Sequence, residues 1–287
     1  MLRPGLLTTL QDHGRHGLQH VGLCPGGAMD PVALTLANAL VGNEAGEAAL
    51  EITVIGPELS FEEDTLVALC GAEFDGSFPH NRPVLGSRST YLPGHFGGFQ
   101  GRSLKHGDAL ALRDPGATGR FAKLKKTRNG TVKWSAPPFT LPDREPILVH
   151  VLEGQHFASF DSNAQRSFFD TVWKIAPESN RMGFRLAGPT LVRSEQSEIL
   201  SGPTALGSVQ VPANGTPIAL MADHQTTGGY PRIAEIVSAD VARLAQLAPG
   251  GTVHFARCDL GMAAELRHDS KERLSAALRG IAWNYGQ

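Results

Sequence analysis

The chain has 287 residues, more than one ordinary hydrophobic core accommodates, and fits two domains of ~100–200 residues each. With 26 Lys plus Arg against 28 Asp plus Glu, its formal charge is −2, so no basic excess exists to neutralise a phosphate backbone and nucleic acid is excluded as a favoured partner. Hydrophobic residues at 41% and charged residues at 19% exclude a disordered chain, and the 33 Gly and 19 Pro favour short strands and tight turns over long helices.

From the N-terminus onward, strand-like runs of four to eight apolar or β-branched residues recur between turn residues: GLLTTL, AALEITVI, TLVALC, DALALR, ILVHVL, TVWKIA, GFRLA, SVQVP, PIALMA, IAEIVS and GTVHFA. The pattern predicts a mainly β fold with a few helices and a barrel architecture. The clearest helix runs to Val41, with Asp30 as its cap, Pro31 at the first helical position and Gly42 at its end. A second opens at Ser238 (SADVARLAQL), and Leu266, Leu274, Leu278 and Ile281 mark a looser apolar stripe near the C-terminus. Between Lys123 and Pro146 a basic, proline-rich stretch without periodicity reads as a linker. The expected domains are thus 1–122, shortened after Ser77, and 147–260, joined by a linker at 123–146 and followed by a helical tail at 261–287. A faint echo, GPEL at Gly56 against GPTL at Gly188, suits two related β domains.

No run approaches the ~18 apolar residues of a membrane span, and the start of the sequence lacks the apolar core of a secretory signal. Cys24, Cys70 and Cys258 are odd in number and far apart, so a cytoplasmic, reducing location is expected. His13, His16 and His20 lie in a glycine-rich loop rather than at helical metal-ligand spacing, so no metal site is expected.

Two segments concentrate polar side chains among glycines. The first, QDHGRHGLQHVGLCPGGAMD, holds Asp12 and Arg15 where glycines let a ligand approach the backbone and an Arg fork suits a carboxylate or phosphate; the alternative is a hairpin whose Asp12 and Arg15 pair with each other. In the second, MADHQTTGGYPRIAEI, a strand is expected to run into Asp223, His224, Gln225, Thr226 and Thr227 before a turn at Gly228 and Gly229. Amide, hydroxyl, carboxylate and the Tyr230 phenol there suit a small ligand carrying amide and carboxylate groups; the alternative is a turn that satisfies its own backbone. GGFQGRS lacks the first Gly and the Lys of a phosphate loop. Cys24 with His20 makes a weak nucleophile–base pair.

The ordered strings LLTTLQDHGRHG, GGAMDP, LANALVGN, LEITVIGP, VLGSRSTY, NRMGFRLAGP, VQVP and DHQTTGGYPRIA resemble the family of the 5-oxoprolinase C subunit, also called KipA or allophanate hydrolase subunit 2, which includes the carboxyltransferase part of urea amidolyase. The resemblance implies two cyclophilin-like β-barrel domains. It also implies a component that, with a LamB/YcsF-like partner (the A subunit) and a KipI-like partner (the B subunit), opens 5-oxo-L-proline to L-glutamate with ATP, the nucleotide being held with or by a partner. Two alternatives accompany it: a carboxyltransferase component of a biotin-dependent urea amidolyase-type system, and a non-catalytic regulator that binds a KipI-like partner. Carried onto this sequence, the resemblance implies Asp12, Arg15, Asp223 and Gln225 as catalytic residues. It implies Arg88, Ser89, Thr90, Arg181, Thr226, Thr227 and Tyr230 as substrate-binding residues. An Arg, either Arg15 or Arg88, would take the substrate carboxylate and Gln225, Thr226 and Thr227 the ring amide. The family carries more residues than this chain between CGAEFDGS and RPVLGSRSTY, which is the basis for a shortened first domain.

Overall fold

Strand β3 (Ile147–Glu153) alternates side chains that are buried and exposed, with Ile147, Val149 and Val151 turned into a core. In β4 (Val172–Ile175), Trp173 and Ile175 do the same. Each such side chain removed from water contributes roughly 1.5–3 kcal/mol. Together with β5 (Gly183–Ala187), β7 (Ser208–Gln210), β8 (Ile218–Leu220), β10 (Arg232–Ile236) and β11 (Thr252–Arg257) they close a seven-stranded barrel in the order β10-β3-β11-β4-β5-β8-β7. All neighbours are antiparallel except β3 and β11, which run parallel with Val149 opposite Phe255. Closure leaves the barrel no open edge.

The structure is a computed structural model and describes residues 1–62, 65–71, 84–111, 135–136, 145–194 and 199–285. Two compact units are formed: residues 1–15, 26–139 and 272–287 make the first, and 16–25 and 140–271 the second, which holds the barrel. The chain is mainly β, with four α-helices among the described residues. The expected linker at 123–146 lies largely outside the described residues, as do 112–122 at the end of the expected first domain.

In the first unit, β1 (Leu7–Gln11) pairs antiparallel with β2 (Ala49–Thr53), Leu7 opposite Thr53. On the other side of β1, the amides of Leu104 and Thr90 donate to the Thr8 and Leu10 carbonyls at 2.9 and 2.8 Å. Helix α1 (Pro31–Val41) starts and stops as its sequence dictates: the Asp30 carboxylate accepts from the Ala33 amide, Pro31 opens the first turn and Gly42 ends it at φ 86. Its Leu36 packs with Ile281 and Tyr285, from the C-terminal end of α4 (Leu260–Asn284) and the residue after it.

In the second unit, α2 (Ser162–Asp170) carries Ala164 and Phe168 into the core, where Phe168 stacks on Phe255 at 4.8 Å and its carbonyl accepts from the Trp173 indole. This helix escapes the periodicity because only two of its nine residues are buried; its one local sign is Asp161, whose carboxylate caps the Ala164 amide. The third helix, α3 (Ser238–Ala245), forms where SADVARLAQL predicts it. A two-stranded sheet of β6 (Gly202–Pro203) and β9 (Thr227–Gly228) completes this unit.

Three sequence expectations are corrected. TLVALC forms no strand, and neither do the described residues of DALALR, 108–111. The strand expected to run into Asp223 stops at Leu220: the Met221 amide makes one more bond in register, to the Met182 carbonyl, and His224 then turns back to the Met221 carbonyl. Thr227, expected to end that strand, instead belongs to β9.

Candidate functional site

Each unit gathers its own cluster of the expected residues. In the first, β1 delivers Asp12 to the segment 87–90 lying along its open side. The Asp12 carboxylate accepts from the hydroxyls of Ser87 and Ser89 at 2.6 Å each, from the Gly14 amide at 2.8 Å and from the Arg88 amide. The Asp12 amide in turn donates to Ser89 Oγ at 2.9 Å. Burial alone would raise the carboxyl pKa, but the Ser87 and Ser89 hydroxyls and the Arg88 and Gly14 amides outweigh it and hold Asp12 below the ordinary carboxylate value. With four donors on its oxygens, this carboxylate is suited to ordering two loops, and little capacity remains for taking a proton from a substrate.

Arg15 is 1% exposed. Its Nε donates to the Val84 carbonyl at 3.2 Å, its Nη2 to the Ser89 carbonyl, and its guanidinium lies 4.9 Å from the centre of the Phe96 ring. Gly97 packs so closely on Arg15 Nη2 and Ser89 O, with φ +71, that no other residue fits there. Gly98 packs likewise on Thr90. The glycine-rich stretch GGFQG therefore serves the chain's own Arg15, Ser89 and Thr90; its residues do not fit a phosphate cradle. Arg88 differs from Arg15: it is partly exposed and pairs with Glu47 at 3.4 Å. Thr90, fully buried, donates to the Leu10 carbonyl.

In the second unit, Arg181, between β4 and β5, grips Asp223, just beyond β8, through two parallel bonds, Nε to Oδ2 at 2.9 Å and Nη2 to Oδ1 at 3.0 Å. Both are buried, and the Asp223 amide also donates to the Arg181 carbonyl at 2.8 Å. His224 is buried with Nδ1 2.7 Å from the Met221 carbonyl, so Nδ1 carries the proton. Burial keeps its pKa below the ordinary histidine value despite the Met221 carbonyl and the Asp223 charge. Gln225 donates from Nε2 to Gln210 Oε1 at 3.0 Å. Thr204 binds this stretch through both ends, its amide to the Thr226 carbonyl at 3.0 Å and its hydroxyl to the Gln225 carbonyl. Thr227 and Tyr230 face solvent, Tyr230 at 51% exposure.

Ser87, Thr204 and Gln210 belong to these clusters; the sequence assigns no role to Ser87 and does not single out Thr204 or Gln210. Ser87 and Gln210 stand inside recognised strings, VLGSRSTY and VQVP, whereas Thr204 carries no local signal. None of the three cysteines is poised as a nucleophile by its surroundings: Cys24 is buried, burial and the Asp30 charge push the Cys70 thiol up to about 12, and burial with Asp259 and Asp240 raises that of Cys258.

The sequence pattern of the family described as carboxyltransferase domain, subdomain A and B, matches residues 21–78 and 73–257. The chain belongs to this family. The two matched stretches overlap at 73–78. Within the family it is 36% identical to the C subunit of 5-oxoprolinase from Escherichia coli, over 94% of each chain. It is 32% identical to the protein of that name from Haemophilus influenzae, over 92% of each. Among solved structures, the Kluyveromyces lactis urea carboxylase superposes with a TM-score of 0.79 at 26% identity, covering 96% of this chain and 29% of that one. The family's mainly β fold is thus the fold seen here.

Proposed function

We propose that this chain is the C subunit of an ATP-dependent 5-oxoprolinase and opens 5-oxo-L-proline to L-glutamate together with the A and B subunits. The observation that carries the proposal is the end-to-end match to two 5-oxoprolinase C subunits, at 36% and 32% identity, against partial coverage of the much longer urea carboxylase. A lactam is a stable amide, so a site that opens one needs polar groups for the ring amide and a cation for the carboxylate. Gln225, Thr226 and Thr227 supply the first. Of the two arginines that the sequence offers for the carboxylate, both in the first unit, Arg88 is partly exposed, whereas the Arg15 guanidinium is committed to main-chain carbonyls and Phe96. Asp12 and Ser89 in the first unit, and Asp223 and Arg181 in the second, act as supports within their own unit. Because the glycine-rich stretch is filled by the chain's own side chains, ATP is assigned to a partner subunit. The working compartment is the cytoplasm, in keeping with three free cysteines.

Co-expression with the A and B subunits tests the proposal. The complex is expected to co-elute and to release ADP and glutamate in response to 5-oxo-L-proline, while the isolated chain does neither. Turnover by the chain alone would overturn the three-subunit reading, and a stable complex inert toward 5-oxoproline would overturn the substrate. The superposition on urea carboxylase favours a second reading, carboxyl transfer from carboxybiotin to an amide or urea nitrogen. Consumption of carboxybiotin by the chain in the presence of urea would select it.

A further inference from the structure

Gln210 lies on β7 at 2% exposure, beneath the Gln225–Gly229 stretch. Its Oε1 accepts from Gln225, but its Nε2 is buried and has no hydrogen-bond partner among the described residues. A buried donor left in this state is costly in a folded protein, and such groups concentrate where a ligand completes them. Directly over it stands Gly228, a residue without positive φ, so backbone conformation does not demand glycine there. A Cβ at 228 would stand 2.9 Å from Gln210 Nε2, 3.3 Å from Gln225 Nε2 and 3.4 Å from Thr204 Cγ2. A side chain at 228 would therefore crowd the Gln210 amide.

We propose that Gln210 is a further substrate-recognition residue, the floor of a subsite for a small amide whose carbonyl accepts from Nε2 beside Gly228. The inference rests on the reading of Gln225, Thr226 and Thr227 as amide-binding and adds the donor they lack. The Oε1 of Gln210 keeps a second lone pair beyond the one given to Gln225, so a lactam, whose N–H and C=O point the same way, pairs with it at two points. A ring amine without the carbonyl cannot.

The test follows the Gln210 side-chain amide signals by NMR in the full chain, assigned through Gln210→Met, while 5-oxo-L-proline, 2-pyrrolidinone or L-proline is added. In parallel, binding of labelled 5-oxo-L-proline is measured in the complex with the A and B subunits. The two lactams are expected to shift the Gln210 signals and L-proline to leave them in place. Gln210→Met and Gly228→Ala, each checked for an unchanged Tm, are expected to weaken lactam binding about tenfold or more, the worth of one well-placed hydrogen bond. Either response supports the subsite. Unmoved signals together with wild-type affinity in the Gln210→Met complex overturn it. A complex that turns over 5-oxoproline but ignores Gln210→Met sinks the subsite alone. A complex inert toward 5-oxoproline, with Gln210 signals still moved by 2-pyrrolidinone, sinks the 5-oxoprolinase reading alone.

Discussion

Asp12 and Arg15 are three residues apart, and each is held by a segment more than sixty residues further along the chain. Removing the Asp12 carboxylate strands the Ser87 and Ser89 hydroxyls and two amides, so Asp12→Ala is expected to cost on the order of 3 kcal/mol in urea unfolding. Its pKa is depressed on folding, so its stabilisation is present in full above about pH 4 and is lost as pH falls through the depressed folded value. The Tm difference between the protein and Asp12→Asn should therefore shrink on acidification below about pH 4; a difference independent of pH would show that the charge does not matter. At Asp223 the logic is that of a buried ion pair. Arg181→Ala leaves an uncompensated carboxylate and is expected to cost about 3–5 kcal/mol, whereas Arg181→Met combined with Asp223→Leu should recover much of it. The His224 side chain is buried on the Met221 carbonyl, so His224→Ala should lower Tm.

Helix α1 is the element most completely written in its own residues, because cap, first-turn proline and terminal glycine all act within a few positions. Asp30→Ala is expected to lower stability by about 1 kcal/mol, read as a shift in urea midpoint without a change in slope. Strand β1 and most barrel strands are legible for a similar reason, an apolar run bounded by turn residues. TLVALC reads equally well and forms none, since a strand requires a partner as well as a propensity. The GGFQGRS loop shows the converse: it looks like a failed phosphate loop and proves to be a packing element for Arg15. Gly97→Ala is therefore expected to reduce the yield of folded protein, as judged by its circular dichroism and Tm.

Across the whole chain, the two units are not two halves of the sequence. Residues 16–25 cluster with the barrel unit and 272–287 with the first. Ile281 and Tyr285 meet Leu36 within the first unit, so truncation after Lys271 should strip hydrogen-exchange protection from α1 and leave the barrel strands protected. Loss of protection in β3 and β11 instead would show that the tail supports the barrel. The features legible in the residues alone are local or collective: the mainly β class, the caps of α1, the position of α3 and the family to which the ordered motifs belong. The folded chain was needed to show that Asp12 is clamped by two serines, that Arg15 is buried on carbonyls and a ring while Arg88 stays partly open, and that Gln225 meets Gln210 beneath Gly228. A cap or a turn is satisfied by neighbours in the chain, whereas the partner of a buried carboxylate or amide is chosen by how distant segments come to lie against one another, which no stretch of sequence specifies alone.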